Sequence, residues 1–346
     1  MKGMSKVIGI GFLGLGIVGS QVLSYIKENK AYVEEVYGME FSTKSVYVRD
    51  INKKRDIETS DIYLTTDVTK IVENTDIQVC IECMGGAGME ETYDAVMRAI
   101  HNGKHIVMSS KKCLAYYGTK IIEAANQYNV QLRFEASVGG CIPICRSLMQ
   151  MSKGDEVTKI YGIVNATSTY ILSAMESKKI TFDEALQQAK EKGFAENNSS
   201  EDILGFDTLN KMRILLRLGM KVDVDINEVN PLSIENINDE GANREDSIIR
   251  QVFYAEKTMQ DDVNCFVGPQ ILKSDSMLKN VSENYNMIFV ESKHSGLRAY
   301  YGKGAGGIET ASVMFDDLID VVQSNYRYEE IKPIGCNCIS GDTFEL

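Results

Sequence analysis

Three glycines with the spacing Gly14-x-Gly16-x-x-Gly19 constrain the fold of this chain more than any other feature. They follow an apolar and glycine-containing run, Val7–Leu13, which is typical of a strand buried on both faces. They precede Ser20–Ile26, where apolar residues recur at helical spacing. Glycines in this context permit a tight turn and close packing of a helix on a strand. The pattern predicts the first strand, turn and helix of a doubly wound α/β domain.

Strand and helix patterns continue to alternate as far as Glu135. The predicted strands are Ser45–Val48, Val79–Ile81, His105–Met108 and Leu132–Glu135, and the predicted helices include Val68–Val72 and Glu90–Asn102. Such alternation is typical of a parallel sheet with right-handed crossovers. Residues 1–140 are therefore predicted to form one Rossmann-like, doubly wound parallel sheet domain, to which a helix over residues 308–325 returns.

The regular alternation of predicted strands and helices ends after residue 140. Strands are predicted at Thr158–Val164, Met287–Val290 and Gly296–Tyr301, and helices near Ser168–Ser177, Phe182–Lys192 and Asp202–Leu218. Residues 235–262 are rich in Asp, Glu and Asn, which favours an exposed helix or a flexible excursion. We expect an α+β domain over residues 141–307 and a polar tail over residues 326–346.

Charge and composition exclude several kinds of partner. The net charge of -12 opposes binding to a nucleic acid or to an anionic membrane surface, so neither is expected as a partner. A long apolar run and a signal peptide are both missing, which predicts a cytoplasmic protein. Cys80-x-x-Cys83 and Cys336-x-Cys338 have no histidine at ligand spacing, so we expect reduced thiols and no zinc.

The glycine loop is also where a dinucleotide would bind, because its backbone can approach a pyrophosphate at the start of a helix. The second strand ends at Arg49-Asp50, and Lys53, Lys54 and Arg55 follow. An acid at this place suits the ribose hydroxyls of NAD, whereas cations suit the 2'-phosphate of NADP. The cations favour NADP; NAD and a merely solvated charged turn are the alternatives.

A group of acids and one lysine indicates a catalytic site. Glu196 and Asp202 precede Asp207 and Lys211, which are four residues apart on a predicted helix and so share a face. Three carboxylates and an ammonium group near one helix start would hold an amino-acid-like substrate and supply a proton. The alternative is a surface ion pair of little energetic value. Lys111 follows a strand end, where it would polarise a carbonyl or simply add surface charge.

Nine motifs in order resemble those of the homoserine dehydrogenase family over nearly the whole chain. They lie at Gly14–Gly19, Val48–Asp50, Gly103–His105, Glu135–Val138, Ile142–Ile144, Asn165–Thr167, Gly193–Glu196, Gly205–Lys211 and Gly304–Gly307. The resemblance implies an oxidoreductase that reduces aspartate semialdehyde to homoserine with NADPH. It is closest to a short form of the family without the C-terminal regulatory domain, in which the domain over residues 141–307 carries catalysis and homodimer formation.

The resemblance also implies roles for single residues. Lys211 would protonate the carbonyl oxygen, Asp207 would contact the substrate hydroxyl, and Glu196 would bind its ammonium group. Asp202, Thr167 and Phe194 would complete the substrate site, and Lys111 would stand between nicotinamide and substrate. The implied cofactor-binding residues are Gly14, Gly16, Ile17, Val18, Gly19, Arg49, Lys53, Met84, Ser109, Lys111, Gly193 and Gly306. A structural sodium ion is implied at Glu135 and the carbonyl groups of Val138, Gly140 and Ile142.

Several positions depart from the family pattern. Phe194 stands where members usually have a tyrosine that contacts the substrate carboxylate, and Asn197-Asn198-Ser199 replaces Ala-Asp-Pro. These changes affect the residues around the substrate more than the residues that handle the hydride. An alternative is therefore a related dehydrogenase with a different amino-aldehyde or hydroxy acid as substrate. A non-catalytic dinucleotide-binding regulator is less favoured, because it would have no reason to keep Asp207 with Lys211.

Overall fold

The computed structural model describes residues 5–151, 154–196, 198–235, 237, 248–260 and 262–346. The chain forms two compact units. The first contains the residues up to Ser137 together with Gly306–Glu329, and the second contains Val138–Ala305 and Glu330–Leu346. None of the helices in the described residues combines the length and the apolar character that crossing a membrane requires.

A parallel sheet of six strands forms the centre of the first unit, in the order β3-β2-β1-β4-β5-β6. Its strands are β1 (Lys6–Leu13), β2 (Met39–Tyr47), β3 (Tyr63–Thr65), β4 (Val79–Glu82), β5 (His105–Met108) and β6 (Leu132–Arg133). Its helices are α1 (Ile17–Glu28), α2 (Lys30–Tyr37), α3 (Thr69–Val72), α4 (Met89–His101), α5 (Lys111–Gln127) and the last helix of the chain, α11 (Gly307–Gln323). The doubly wound sheet is confirmed, although the sequence analysis missed α2 and the short edge strand β3.

The core of the first unit explains why these segments pack on the sheet. Val22 and Leu23 of α1 are fully buried against Ile10 and Phe12 of β1. Met314 of α11 belongs to the same cluster, so the last helix covers the sheet beside the first. Apolar residues at helical spacing on both helices meet a strand that is apolar on both faces.

A mixed sheet of six strands, in the order β12-β11-β7-β9-β10-β14, forms the centre of the second unit. Its strands pair antiparallel except for β10 and β14, which run parallel. The strands of this unit are β7 (Val157–Ile163), β8 (Val222–Asp223), β9 (Ile248–Lys257), β10 (Val263–Leu272), β11 (Tyr285–Ser292), β12 (Gly296–Lys303), β13 (Lys332–Pro333) and β14 (Cys336–Cys338). The helices are α6 (Ile144–Met151), α7 (Ala166–Lys178), α8 (Phe182–Glu191), α9 (Ser200–Ile203) and α10 (Phe206–Gly219).

The prediction of an exposed helix or flexible excursion over residues 235–262 was wrong for β9. This strand pairs with β7 and β10 in the middle of the mixed sheet, and Val252, Phe253 and Ala255 are fully buried. The Asp- and Asn-rich residues on both sides of the strand dominated the average composition and concealed its β-branched and aromatic residues. Residues 236, 238–247 and 261 lie outside the described residues.

The last residues of the chain, which the sequence set apart as a polar tail, contribute strands. Lys332–Pro333 pairs with β8, and Cys336–Cys338 pairs with β10. All eight cysteines are free thiols, and Cys80 and Cys83 are buried, as predicted. Burial raises the pKa of the Cys80 thiol to about 12, which makes it unreactive.

Candidate active site

The glycine turn between β1 and α1 has the geometry that the sequence predicted. Gly14 adopts a φ of 98°, and a Cβ there would lie 2.5 Å from the carbonyl oxygen of Cys83. A Cβ on Gly19 would lie 2.8 Å from the carbonyl oxygen of Gly14, so α1 packs closely on the turn. A Cβ on Gly16 would meet nothing within 4 Å. Packing thus requires the first and third glycines, whereas the second leaves open space beside the backbone.

A cleft of about 670 Å³ opens at this turn, which is a size typical of small-molecule sites. It lies at the carboxyl ends of β1, β2 and β4, where the strand order reverses and where ligands of open α/β sheets bind. Of the predicted cofactor residues, the structure brings these together along the cleft: Gly14, Gly16, Ile17, Val18, Arg49, Lys53, Met84 and Ser109. Gly19 packs behind the turn, and Lys111 begins α5 two residues after Ser109.

Cations border one side of the cleft. Nη1 of Arg49 donates a hydrogen bond to the carbonyl oxygen of Gly86 at 2.7 Å, and Arg55 donates to the carbonyl oxygens of Lys53 and Asp50 at 2.7 and 2.8 Å. The carboxylate of Asp50 accepts a bond of 2.8 Å from the backbone N–H of Asn52. The turn therefore contributes three cationic residues to the lining of the cleft, Arg49, Lys53 and Arg55, while its acid is hydrogen-bonded to its own backbone.

Glu82 organises the cleft in a way that the sequence analysis missed. Its carboxylate is fully buried at the end of β4 and accepts hydrogen bonds from the backbone N–H groups of Met84, Ser109 and Ser110, at 2.6, 3.2 and 3.0 Å. Burial raises the pKa of this carboxyl, and the three N–H groups oppose that rise. Glu82 thus fixes two cleft residues, Met84 and Ser109, to each other. The sequence feature that could have indicated this role of Glu82 is an acid directly after the apolar run Val79–Ile81.

In the second unit, Asp207 and Lys211 form a buried pair on α10. The Nζ of Lys211 lies 2.7 Å from Oδ2 of Asp207 and donates a hydrogen bond of 2.6 Å to the carbonyl oxygen of Val164. The two residues are 5% and 7% exposed, which excludes the surface ion pair left open by the sequence. An ion pair removed from water interacts much more strongly than an exposed one.

Asn165 joins this pair to Asp202. Its Nδ2 donates hydrogen bonds to Oδ1 of Asp202 at 2.6 Å and to Oδ2 of Asp207 at 2.9 Å. Its Oδ1 accepts from the backbone N–H of Ser168 at 2.7 Å, so the same side chain caps α7. We call Asn165, Asp202, Asp207 and Lys211 the acid–lysine cluster. An asparagine directly before a helical pattern signalled a cap, but nothing in the sequence signalled its contacts with the two acids.

Thr167 and Phe194, both predicted to bind substrate, are in contact with each other. Oγ1 of Thr167 donates a hydrogen bond of 2.7 Å to the carbonyl oxygen of Phe194, whose ring packs on Tyr170 with centroids 4.9 Å apart. Glu196 is exposed, and in the described part of the chain it makes no hydrogen bond to the acid–lysine cluster. Of the predicted acids, the structure therefore groups Asp202 and Asp207 but not Glu196.

The residues predicted to bind a sodium ion are divided between the two units. Glu135 is buried in the first unit, where its backbone N–H donates to Asp317. Val138, Gly140 and Ile142 belong to the second unit, where the carbonyl group of Ile142 accepts a hydrogen bond of 2.8 Å from the backbone N–H of Ile144. Gly193 also lies in the second unit, and Gly306 directly precedes α11. The sodium ion and the contacts of both glycines with a cofactor stay predictions.

Comparison with known proteins gives the family. Residues 14–135 match the family model described as "Homoserine dehydrogenase, NAD binding domain", and residues 143–319 match the one described as "Homoserine dehydrogenase". The homoserine dehydrogenase of Bacillus subtilis is 34% identical over 325 residues, which cover 92% of this chain and 74% of that protein. The Synechocystis enzyme of the same name is 36% identical over 321 residues, 90% of this chain and 73% of its own.

Solved structures agree with this result. A homoserine dehydrogenase from Thiobacillus denitrificans superposes with a TM-score of 0.86 at 30% identity and covers 95% of this chain and 77% of its own. A hyperthermophilic archaeal homoserine dehydrogenase in complex with NADPH shares the fold, with a TM-score of 0.76 at 24% identity over 94% of this chain and 99% of its own. The chain therefore belongs to the homoserine dehydrogenase family.

Proposed function

We propose that this chain prefers NADPH and reduces the aldehyde of aspartate semialdehyde to homoserine with Lys211 as the proton donor. Family membership gives an NAD(P)-binding oxidoreductase that acts on an amino-acid-related substrate. The observation that carries the assignment of Lys211 is its burial together with Asp207 and the carbonyl group of Val164. A buried lysine does not serve as surface charge, but it suits proton transfer in a site shielded from water.

The residues of the first unit fit a dinucleotide. The backbone at Gly16 is open to the cleft, and the N–H groups at the start of α1 would receive the pyrophosphate. When bound there, the nicotinamide supplies the hydride. Glu82 holds Met84 and Ser109 in place at the ends of β4 and β5, and Lys111 follows them at the start of α5. We assign Lys111 to the electrostatic stabilisation of the carbonyl oxygen.

The residues of the second unit would manage the proton. As the aldehyde carbon gains a hydride, its oxygen gains negative charge, and a proton from Nζ of Lys211 neutralises it. Asp207 Oδ2 and the Val164 carbonyl group each hold this ammonium group from one side, which fixes the direction of its N–H bonds. After the product has left, a proton from the bulk solvent restores the ammonium group of Lys211. Positioning and charge would supply most of the rate enhancement.

Substrate binding is assigned to the residues around this cluster. Glu196 would bind the substrate ammonium group, Asp207 its hydroxyl group, and Asp202, Thr167 and Phe194 would shape the site. Phe194 has no hydroxyl to offer a carboxylate, which favours a weaker hold on that group than a tyrosine would give. This position also favours the second candidate substrate class, a different amino-aldehyde or a hydroxy acid.

The preference for NADPH is supported by the charges that border the cleft. Arg49, Lys53 and Arg55 are cations at the end of β2, where a 2'-phosphate would lie, and the acid Asp50 is held by Asn52. We expect Arg49→Met to raise the KM for NADPH about tenfold or more and to change that for NADH little. Equal losses for both cofactors would show that Arg49 does not read the 2'-phosphate.

The decisive experiment compares initial rates with aspartate semialdehyde for the wild type, Lys211→Met and Lys178→Met. Lys178 is an exposed lysine at the end of α7 and serves as the matched control. We expect Lys211→Met to lose turnover while NADPH binding, measured by fluorescence titration, changes only a few-fold. An active Lys211→Met would remove this residue from the mechanism. A wild type that binds NADPH but does not turn over aspartate semialdehyde would point to the second substrate class.

Three further properties predicted from the sequence are proposed with it: a homodimer and a bound sodium ion, which the family resemblance implies, and a cytoplasmic location. Sedimentation velocity tests the dimer, and fractionation of cells tests the location. Replacing sodium by potassium in the assay and melting buffers tests the ion. Unchanged kcat and Tm under that exchange would argue against a specific sodium site.

A further inference from the structure

Gln251 stands at the centre of the hydrogen bonds that surround the acid–lysine cluster. It lies on β9 and is 1% exposed. Its Oε1 accepts hydrogen bonds from Ser168 Oγ at 3.0 Å and from Thr208 Oγ1 at 2.8 Å, and its Nε2 donates to the carbonyl oxygen of Asp202 at 3.0 Å. One carboxamide therefore joins β9 to α7, α9 and α10.

Each of these three partners is tied to a cluster residue. Thr208 directly follows Asp207 on α10, and the backbone N–H of Ser168 is bonded to the side chain of Asn165. Asp202 is itself a member of the cluster and is bonded to Asn165 through its carboxylate. A shift of Gln251 would therefore move the first turns of two helices and one acid against each other.

We propose that Gln251 is a positioning residue, which holds these three segments in register and thereby sets the direction of Asp207 and Lys211. The inference rests on the proposed roles of those two residues. An amide suits this place because it is neutral and offers an acceptor and a donor at once. A carboxylate would offer no donor to the carbonyl group of Asp202, and a lysine would offer no acceptor to the two hydroxyl groups.

The variant Gln251→Glu tests this role, because it keeps the size of the side chain and removes the donor. When ionised, the new carboxylate would face the carbonyl oxygen of Asp202, whereas its protonated form would again donate a hydrogen bond there. The ionisable groups of the joined segments nearest to it in the network are Asp202, Asp207 and Lys211. These three groups are present in the wild type too. The ratio of variant to wild-type activity at each pH therefore largely separates the titration of the new carboxyl group from the titration of these three groups.

We expect kcat of Gln251→Glu with aspartate semialdehyde and NADPH to fall about ten- to 100-fold at pH 8, because misplacement of reacting groups is costly. The ratio to wild type should rise several-fold as the pH falls from about 8 to about 6, while the KM for NADPH changes less than about twofold. A ratio that is constant across this range would overturn the proposal, since a general packing defect would lower activity equally at every pH.

Arg250 provides the matched control, since it precedes Gln251 on β9 and is also buried. Its Nη1 bonds Glu176 and its Nε donates to the carbonyl oxygen of Val281, both at 2.8 Å. Arg250→Lys should lower Tm without a new pH dependence of kcat. Lys211→Met, assayed in parallel, keeps the two hypotheses apart. Its full activity would refute the role of Lys211, whereas a constant ratio for Gln251→Glu beside an inactive Lys211→Met refutes only the positioning role.

A second variant decides the matter if Gln251→Glu does not fold. Thr208→Val replaces a hydroxyl group by a methyl group and deletes one of the three bonds to Gln251. We expect kcat to fall about tenfold with the KM for NADPH unchanged. A kcat equal to that of the wild type in folded Thr208→Val would overturn the proposal.

Discussion

Replacing Asn165 by aspartate would turn a hydrogen-bond donor of the acid–lysine cluster into an acceptor without changing the shape of the side chain. The Asn165 amide donates to Asp202 at 2.6 Å and to Asp207 at 2.9 Å, and its oxygen caps α7. Aspartate is as good an N-cap as asparagine, so the start of α7 would be kept. The two donated bonds, however, would become contacts between carboxylates.

The size of the effect follows from these distances. Each lost hydrogen bond to a charged group is worth about 1.5 to 3 kcal/mol. At an effective dielectric constant of about 20, two carboxylates at these separations would repel each other by about 6 kcal/mol. The cluster will therefore take up a proton instead, which costs about 4 kcal/mol at pH 7 for a group with an ordinary pKa of about 3.9.

The pH dependence of the free energy of unfolding should reveal the uptake of this proton. Burial beside two acids raises the folded-state pKa of the new carboxyl above its value in the unfolded chain, so the folded state binds one more proton. The free energy of unfolding of Asn165→Asp, relative to wild type, should then fall by about 1.4 kcal/mol per pH unit from about pH 4 up to the raised pKa. Relative kcat should fall only near the raised pKa, where the folded state itself loses this proton and Asp207 can no longer hold Lys211 as before.

Denaturant unfolding and kcat measured across this pH range test the reasoning, with Asn165→Ser as the control. Serine keeps a cap for α7 and loses both donated bonds, but it adds no charge. Asn165→Ser should therefore be less stable and less active by a factor that does not depend on pH. A stability difference for Asn165→Asp that is flat with pH would refute the proposed electrostatic environment.

The cofactor cleft gives three further predictions. Glu82→Gln should lower Tm and raise the KM for NADPH, because the amide cannot accept all three backbone N–H bonds; wild-type values for both would contradict this. Gly14→Ala should lower Tm, since its Cβ would meet the Cys83 carbonyl group at a positive φ. Gly16→Val should keep Tm but weaken NADPH binding in a fluorescence titration, and undiminished binding would mean that the pyrophosphate lies elsewhere.

Local patterns in the sequence were sufficient to predict the cofactor cleft. The glycine spacing and the cations after β2 are contiguous features, and the structure places them around one cleft at the end of β1. The pair Asp207 and Lys211 was also local, since four residues on a helix place two side chains on one face. The burial of the pair was not predictable, because it depends on α7 and β9, which are distant in the sequence.

Asn165 and Gln251, whose contacts the sequence missed, share one property: they act through contacts between distant parts of the chain. Asn165 meets Asp207 across 42 residues, and Gln251 meets Thr208 across 43. Polar residues inside strands and caps carry no periodic signal, and the strand that holds Gln251 was concealed by acidic residues around it. Only the folded sheet shows that these amides face the cluster.

The two missed amides also explain how the chain can bury Asp207 and Lys211 beside a half-buried Asp202 without a prohibitive loss of stability. Buried charges destabilise a fold unless hydrogen bonds satisfy them, and apolar packing cannot supply those bonds. A carboxamide supplies them without adding charge, and it accepts bonds from hydroxyl and N–H groups on its other side. Asn165 does this for the carboxylates, and Gln251 does it for the backbone and hydroxyl groups next to them. The residues proposed to bind the substrate, including Phe194, can then change while the direction of Lys211 is kept.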